Sequence, residues 1–316
     1  MGVFLLRRLA TFLATLVGAS AVIFLVLEIL PGNAALTILG TEATPEAVAA
    51  LSHKLGLDQP ALARYLQWLA GLLSGDLGVS YAYSTPVSEL ILGSLAISLP
   101  LALMAMLLTL VIALSLGVFA AARHGSLADT GLMGVSQVGI AIPNFWFAIL
   151  LILLFAVRLH WFAAGGFPGW ADGAWPALRA LILPAVALAL VQAAILARVT
   201  RSSIIEVMRE DFVRTARAKG LTRQAALWRH VLRNAMIPVV TIMGLQFANL
   251  IAGTVVIENV FYLPGLGRLI FQAINNRDSI VVRDCVMLLA ALVVAVNFIV
   301  DLVYVAIDPR LKAHQL

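Results

Sequence analysis

Residues Arg198–Val240 read RVTRSSIIEVMREDFVRTARAKGLTRQAALWRHVLRNAMIPVV, and this stretch decides what kind of fold the chain can have. From Arg198 to Arg233 it holds nine Lys and Arg against three acids, Glu206, Glu210 and Asp211. On either side lie runs of nearly pure hydrocarbon, 180–200 and 235–257. A charged side chain at a bilayer centre costs roughly 2.5–3.5 kcal/mol even on the mild insertion scale. So many cations cannot lie in lipid. The stretch reads as a helix-prone platform in water, joining two membrane spans, and its positive charge assigns it to the cytoplasmic side.

Composition agrees. The chain has 316 residues, 62% hydrophobic and 12% charged, with a mean hydropathy of +1.01. Soluble domains lie near about 45–50% apolar and about 25% charged, so an all-α integral membrane protein is expected. Six runs are long enough to span: 9–30, 95–122, 132–157, 180–200, 235–257 and 285–307, each meeting the need for about 20 residues. The first follows Arg7 and Arg8 and contains a cleavage-like Ala19-Ser20-Ala21. Its apolar run exceeds the roughly 7–15 residues of a signal-peptide core, so a retained span is expected. With both termini inside, fourteen cations fall on the cytoplasmic side: Arg7, Arg8, Arg123, the nine of the loop, Arg310 and Lys312. Seven fall outside: Lys54, Arg64, Arg158, Arg179, Arg268, Arg277 and Arg283. The net charge of +5 then reflects loops beside anionic headgroups and not nucleic-acid binding.

The chain divides accordingly. Residues 1–30 are an N-terminal segment with the first helix, and 31–94 a periplasmic subdomain. Residues 95–310 hold helices two to six with the loop 198–234, and 311–316 form a tail. In the subdomain, Thr44 caps a helix over Pro45–Leu57, with proline at its first position. A second helix is expected over Gln59–Leu73, and Gly75–Gly78 as a turn. Pro143 interrupts the third span, Pro184 falls in the first turn of the fourth, and Gly165–Gly169 and Pro264–Gly267 read as tight turns.

Several activities find no support. A P-loop ends in Gly-Lys, because backbone amides and the lysine together hold the phosphates; none of Lys54, Lys219 and Lys312 follows a glycine. The spans carry acids only near their ends, at Glu28, Glu258 and Asp301, which weakens an ion-coupled carrier. The five histidines lack HExxH spacing, and the single Cys285 rules out an intramolecular disulfide and a cysteine metal cage. No catalytic or metal site is expected.

Within the platform, Phe212, Ala216 and Gly220 share a helical face, spaced i, i+4, i+8. Small residues there admit a close backbone, and Arg209, Arg214, Arg217, Lys219 and Arg223 form a charged rim. Such a helix suits docking in a partner's groove or resting on anionic lipid. For a transport route the uncharged polar groups within spans are Gln137, Asn144, Gln192, Gln246, Asn249 and Asn297. Each has an alternative use in hydrogen bonding between helices.

The segment Arg214-Thr215-Ala216-Arg217-Ala218-Lys219-Gly220 resembles the EAA loop of permease subunits in binding-protein-dependent ABC importers. DLGVSYAYSTPV at Asp76–Val87, ENVFYLPGLGRL at Glu258–Leu269 and DLVYVAIDPRLK at Asp301–Lys312 are similar to the peptide/nickel branch, so the resemblance covers nearly the whole chain. Arg214 stands where many families have Glu, Thr215 replaces the first Ala, and Arg233 falls where Pro is usual. The resemblance implies a coupling helix in which Phe212, Arg214, Thr215, Ala216, Arg217, Lys219 and Gly220 meet an ATPase subunit. It implies as partners two ABC ATPase subunits, a second permease chain related to but different from this one, and an external substrate-binding protein. ATP and Mg would sit on the ATPase subunits, with no cofactor on this chain. A bacterial inner membrane is the implied location. The cargo implied is a peptide, with glutathione or a nickel chelate as the alternative within the same architecture.

Overall fold

The computed structural model describes residues 2–29, 35, 39–40, 43–54 and 56–307. Expectations placed on most of 30–42 and on 308–316, among them Arg310, Lys312 and the tail, lie outside the described residues, as do the side chains of Glu28 and Asp301. Among the described residues the regular structure is all helical, apart from a single β-bridge between Val79 and Pro86. In hydrocarbon no water satisfies a backbone amide, so each apolar run closes its hydrogen bonds within itself as a helix.

In chain order the helices are α1 (Gly2–Ile29), α2 (Pro45–Lys54), α3 (Ala61–Ser74) and α4 (Val87–Ala122). Then come α5 (Leu127–Ala141), α6 (Asn144–Arg158), α7 (Ala174–Val207) and α8 (Asp211–Ala218). Last are α9 (Arg223–Val260), α10 (Leu266–Asn275) and α11 (Ser279–Ile307). Five helices are long and apolar enough to cross a membrane: α1, α4, α7, α9 and α11. A sixth exists if α5 and α6 count as one span bent by 101°. The break is the work of Pro143, which lacks an N–H and holds Ile142 extended at φ −83°, ψ 125°. Pro184 is a correction: α7 begins at Ala174, so Pro184 lies well inside it, and the proline of the first turn is Pro176. The turn expected over Pro264–Gly267 is also corrected, since Leu266 and Gly267 already belong to α10. The Leu266 N–H, orphaned at the helix start, donates to Ser98 Oγ at 2.8 Å.

The chain forms two compact units. One holds Gly2–Ser98 and Pro264–Val294. Its apolar core gathers Val87, Ile91, Leu266, Leu269, Ile270, Val281 and the free Cys285. The two expected outer helices form, α2 with the Ala47 N–H on Thr44 Oγ1 at 3.3 Å and α3 stopping at Gly75, φ +80°. Ser20 and Tyr65 share a hydrogen bond of 2.8 Å between α1 and α3. Trp68 Nε1 donates to the buried Asp284 at 2.6 Å, with the Arg283 guanidinium 4.7 Å above its ring. Asp278 accepts from Ser80 Oγ at 2.5 Å and from the Ala82 N–H at 3.1 Å. Burial pushes the neighbouring Tyr81 hydroxyl up, against the pull of Arg283.

The other unit holds Leu99–Leu263 and the described residues 295–307. Its centre is α7, packed against α5, α6 and α9. Of the most apolar stretch of α7, 67% is buried, against 6% in α1, so α7 is the most enclosed of the five long helices. Alanines 185, 187, 189, 193 and 197 bring neighbours close to it. Helix α4 also comes close at Gly117, where an added Cβ would lie 2.6 Å from Thr200 Cβ and 2.8 Å from the Ala197 carbonyl oxygen. No rotamer relieves a clash with backbone. Gly117→Leu is therefore expected to cost about 1–3 kcal/mol, read as a lowered midpoint of thermal unfolding in detergent, whereas Gly131→Leu, with open space around it, leaves the midpoint in place.

Candidate functional site

The platform folds as an elbow. Helix α7 ends at Val207, with the Met208 N–H on the Ile204 carbonyl at 2.9 Å, and three residues later α8 begins at Asp211. Asp211 in the first turn and Arg217 in the last both complement the helix dipole. Val213 is fully buried among Ala121, Ile204, Ala226, Leu227, Val231 and Ala235. One valine thus seats α8 on the ends of α4, α7 and α9. Phe212, Arg214, Arg217 and Lys219 point to solvent, and Ala216 is half-buried. Arg214 reaches Asp211 at 3.4 Å in a fully solvated pair that adds little. Thr215 turns its hydroxyl back onto the Asp211 carbonyl at 2.9 Å.

Gly220 does not share the face of Phe212 and Ala216. It lies past the end of α8 at φ +96°, with nothing within 4 Å of the place a Cβ would take. Its N–H donates to the Arg217 carbonyl at 3.0 Å and the Leu221 N–H to the Ala216 carbonyl at 3.3 Å. This is the paired 5→2 and 6→1 pattern that closes a helix through a left-handed residue. The helical face expected to run on through Gly220 ends at Ala218, because a helical template extends through a residue whose backbone has already turned. Thr222 then caps α9, accepting from the Ala225 N–H at 3.2 Å. A π-helical turn at Leu227–Val231 buries Leu227 and Val231 and leaves Trp228 64% exposed.

Not all nine cations of the platform are free. Arg201 is held in a two-pronged pair with Asp129, at 2.5 and 2.7 Å. Asp129 is only 2% exposed and also accepts from the Gly125 N–H at 3.0 Å. His124 Nδ1 stands 3.2 Å from the same carboxylate. The clamp fixes the start of α5 to α7 just ahead of the elbow. Sequence reading passed over Asp129; its signal is an acid three residues after Ser126, whose Oγ accepts the Asp129 N–H at 3.3 Å. Val213 was missed too, and its signal is the one branched aliphatic residue in DFVRTARA.

The polar residues of the spans are scattered. Gln192 and Gln246 are buried, Asn144 is half-buried at the start of α6, and Asn249 and Asn297 are exposed. Among the described residues no hydrogen bond joins any two of these five. Gln192 Oε1 is buried without a partner. Gln137 does bond between helices, accepting from Arg198 at 2.6 Å. No group of three or more His, Cys, Asp or Glu able to hold a metal occurs among the described residues.

Comparison with known proteins fits this arrangement. Residues 113–313 match the family described as binding-protein-dependent transport system inner membrane component, and residues 1–102 its N-terminal membrane component. A Brucella abortus relative is 43% identical over 312 residues, 99% of each chain. The di/tripeptide transport system permease protein DppB of Pseudomonas aeruginosa is 38% identical, with 99% of each chain covered. The oligopeptide transport system permease protein AppB of Bacillus subtilis is 37% identical, covering 99% of this chain and 100% of that one. Among solved structures, an inward-facing MetNI methionine ABC transporter superposes with a TM-score of 0.58 at 19% identity, over 70% of this chain and 97% of that one, which shows a shared fold. With its helices, its basic elbow and near full-length relatives in agreement, the chain belongs to the inner-membrane permease components of binding-protein-dependent transport systems.

Proposed function

We propose that this permease forms half of the membrane route of an ATP-driven peptide importer, and that α8 is the lever through which a separate ATPase subunit moves it. The observation that carries the reading is the elbow: a short, stopped, basic helix seated by Val213 on the ends of three long apolar helices. Full-length relatives named for dipeptides, di/tripeptides and oligopeptides support the choice of cargo. Two ATPase subunits, an external binding protein and a second, different permease chain complete the assembly. ATP and Mg act on the ATPase subunits. The excess of cations on the elbow side supports cytoplasmic termini.

In this reading Phe212, 44% exposed, is the apolar tip of the lever, with Arg214, Arg217 and Lys219 as its charged rim and Ala216 its small floor. Thr215 and Gly220 hold its shape. Closure of the ATPase pair shifts α8, and with it the ends of α4, α7 and α9 as rigid rods. The lever does work only if its docking energy differs between the two ATPase states. Asn144, Gln192, Gln246, Asn249 and Asn297 are proposed to serve the route, since none is committed to a bond between helices.

Vesicles holding this chain with its second permease, ATPase and binding protein are expected to accumulate a labelled dipeptide when supplied with ATP. Accumulation against a gradient by vesicles lacking the ATPase sinks the proposal. Ala216→Arg is expected to leave membrane insertion intact and to lower uptake at least about tenfold, with the ATPase released on purification; normal uptake would remove Ala216 from the contact. Gly220→Val forces a β-branched residue to φ +96° at roughly 1–2 kcal/mol. It should open 208–222 to protease and reduce uptake, whereas Gly220→Asn, which tolerates the left-handed region, keeps most of both. Equal loss in the two variants would restore a close-approach role.

A further inference from the structure

Beside the elbow, within one unit, α4 and α9 leave an open groove of about 540 Å³. Leu114, Val118 and Phe119 wall it on one side, Leu227, Leu232 and Met236 on the other. At its end it runs into a recess of about 140 Å³ that shares Arg123 and Gln224 with it and adds Arg223. Arg123 lies just past the end of α4, 4.5 Å from the Phe119 ring centroid. No acid lines either space, and neither arginine forms an ion pair among the described residues. Trp228 stands exposed on the groove wall. An indole of that kind settles at the depth of lipid headgroups.

Hydrocarbon walls ending at two guanidinium groups, with an exposed indole on one wall, match the chemistry of an anionic lipid. We propose that this groove holds an anionic phospholipid, one acyl chain along α4 and α9 and its phosphate between Arg123 and Arg223. A planar guanidinium pairs with phosphate oxygens through two parallel N–H donors. A volume near 540 Å³ falls within the range of small-ligand sites, about 300–1,000 Å³. Charge decides against a second copy of this chain. Seated across a two-fold axis, it would bring its own Arg123 and Arg223 to the same end, like charge against like. The lipid would fill the wedge between α4 and α9 beside Val213, where its presence stiffens the elbow.

The test uses the whole transporter in nanodiscs of equal parts phosphatidylcholine and phosphatidylglycerol, with retained lipid counted by native mass spectrometry. The wild type is expected to keep phosphatidylglycerol. Arg123→Gln with Arg223→Gln, in complexes still assembled, should lower that retention about tenfold or more, each cation near the surface contributing to anionic-lipid binding. Val118→Trp, which fills the wall and leaves both arginines in place, should lower it as well. A photo-crosslinker at Val118 should label lipid. Retention equal in all three proteins overturns the proposal, and so does crosslinking of Val118 to the second permease chain.

Discussion

A backbone amide or a cation has no water to turn to inside hydrocarbon, and every main feature of this chain follows from that. The long runs close their amides as helices, and the cations collect where the chain leaves lipid. Lipid tails are as apolar as leucine, so burial alone does not draw these helices together; close packing and hydrogen bonds do. The alanine-rich α7 and the bare Gly117 of α4 supply the first. The Arg201–Asp129 clamp and the Gln137–Arg198 bond supply the second, both between α5 and α7.

The clamp bears on the proposed lever. Two parallel N–H donors fix a guanidinium in direction as well as distance. With Asp129 also bound to the Gly125 N–H, the loop before α5 cannot swing away from α7 without stranding a buried carboxylate. Under the proposed coupling, a displacement at α8 therefore enters a braced rod and not a free strand. The same logic holds Trp68, Asp284 and Arg283 together in the other unit, where the small helices between α1 and α4 are too short to be stable alone.

Hydropathy made the spans legible, and turn residues made α2 and α3 legible, because both signals are local. The elbow helix was legible in DFVRTARA and its stop in AKG, although the helical face was carried past that stop. Pro143 was read rightly as an interruption, but a bend of 101° depends on what packs on either side. Pro184 was misplaced because Trp175 and Arg179 hid the true start of α7; Arg179 donates to the Trp161 carbonyl at 2.6 Å and so tolerates the boundary. The pairs Arg201–Asp129, Trp68–Asp284 and Ser80–Asp278 join residues far apart in sequence, and no spacing rule in one chain can reveal them. The committed and uncommitted amides, Gln137 against Gln192, look alike as letters and differ only in their neighbours.

The stability of α8 is borrowed. Isolated helices shorter than roughly 12–15 residues are marginal in water, and Asp211–Ala218 has eight. Its one ion pair is solvated and worth less than about 1 kcal/mol. Burying a valine contributes about 1.5–3 kcal/mol, and the stop at Gly220 satisfies carbonyls that would otherwise need water. Val213 therefore outweighs the other local terms, and its pocket is made of Ala121, Ile204, Leu227 and Val231 from three other helices. Spread those helices and α8 loses its seat; hold α8 fixed and their ends are held at a set spacing. As the proposed lever, α8 would report and impose the same distance, which is the reciprocity that any coupling between two binding equilibria requires.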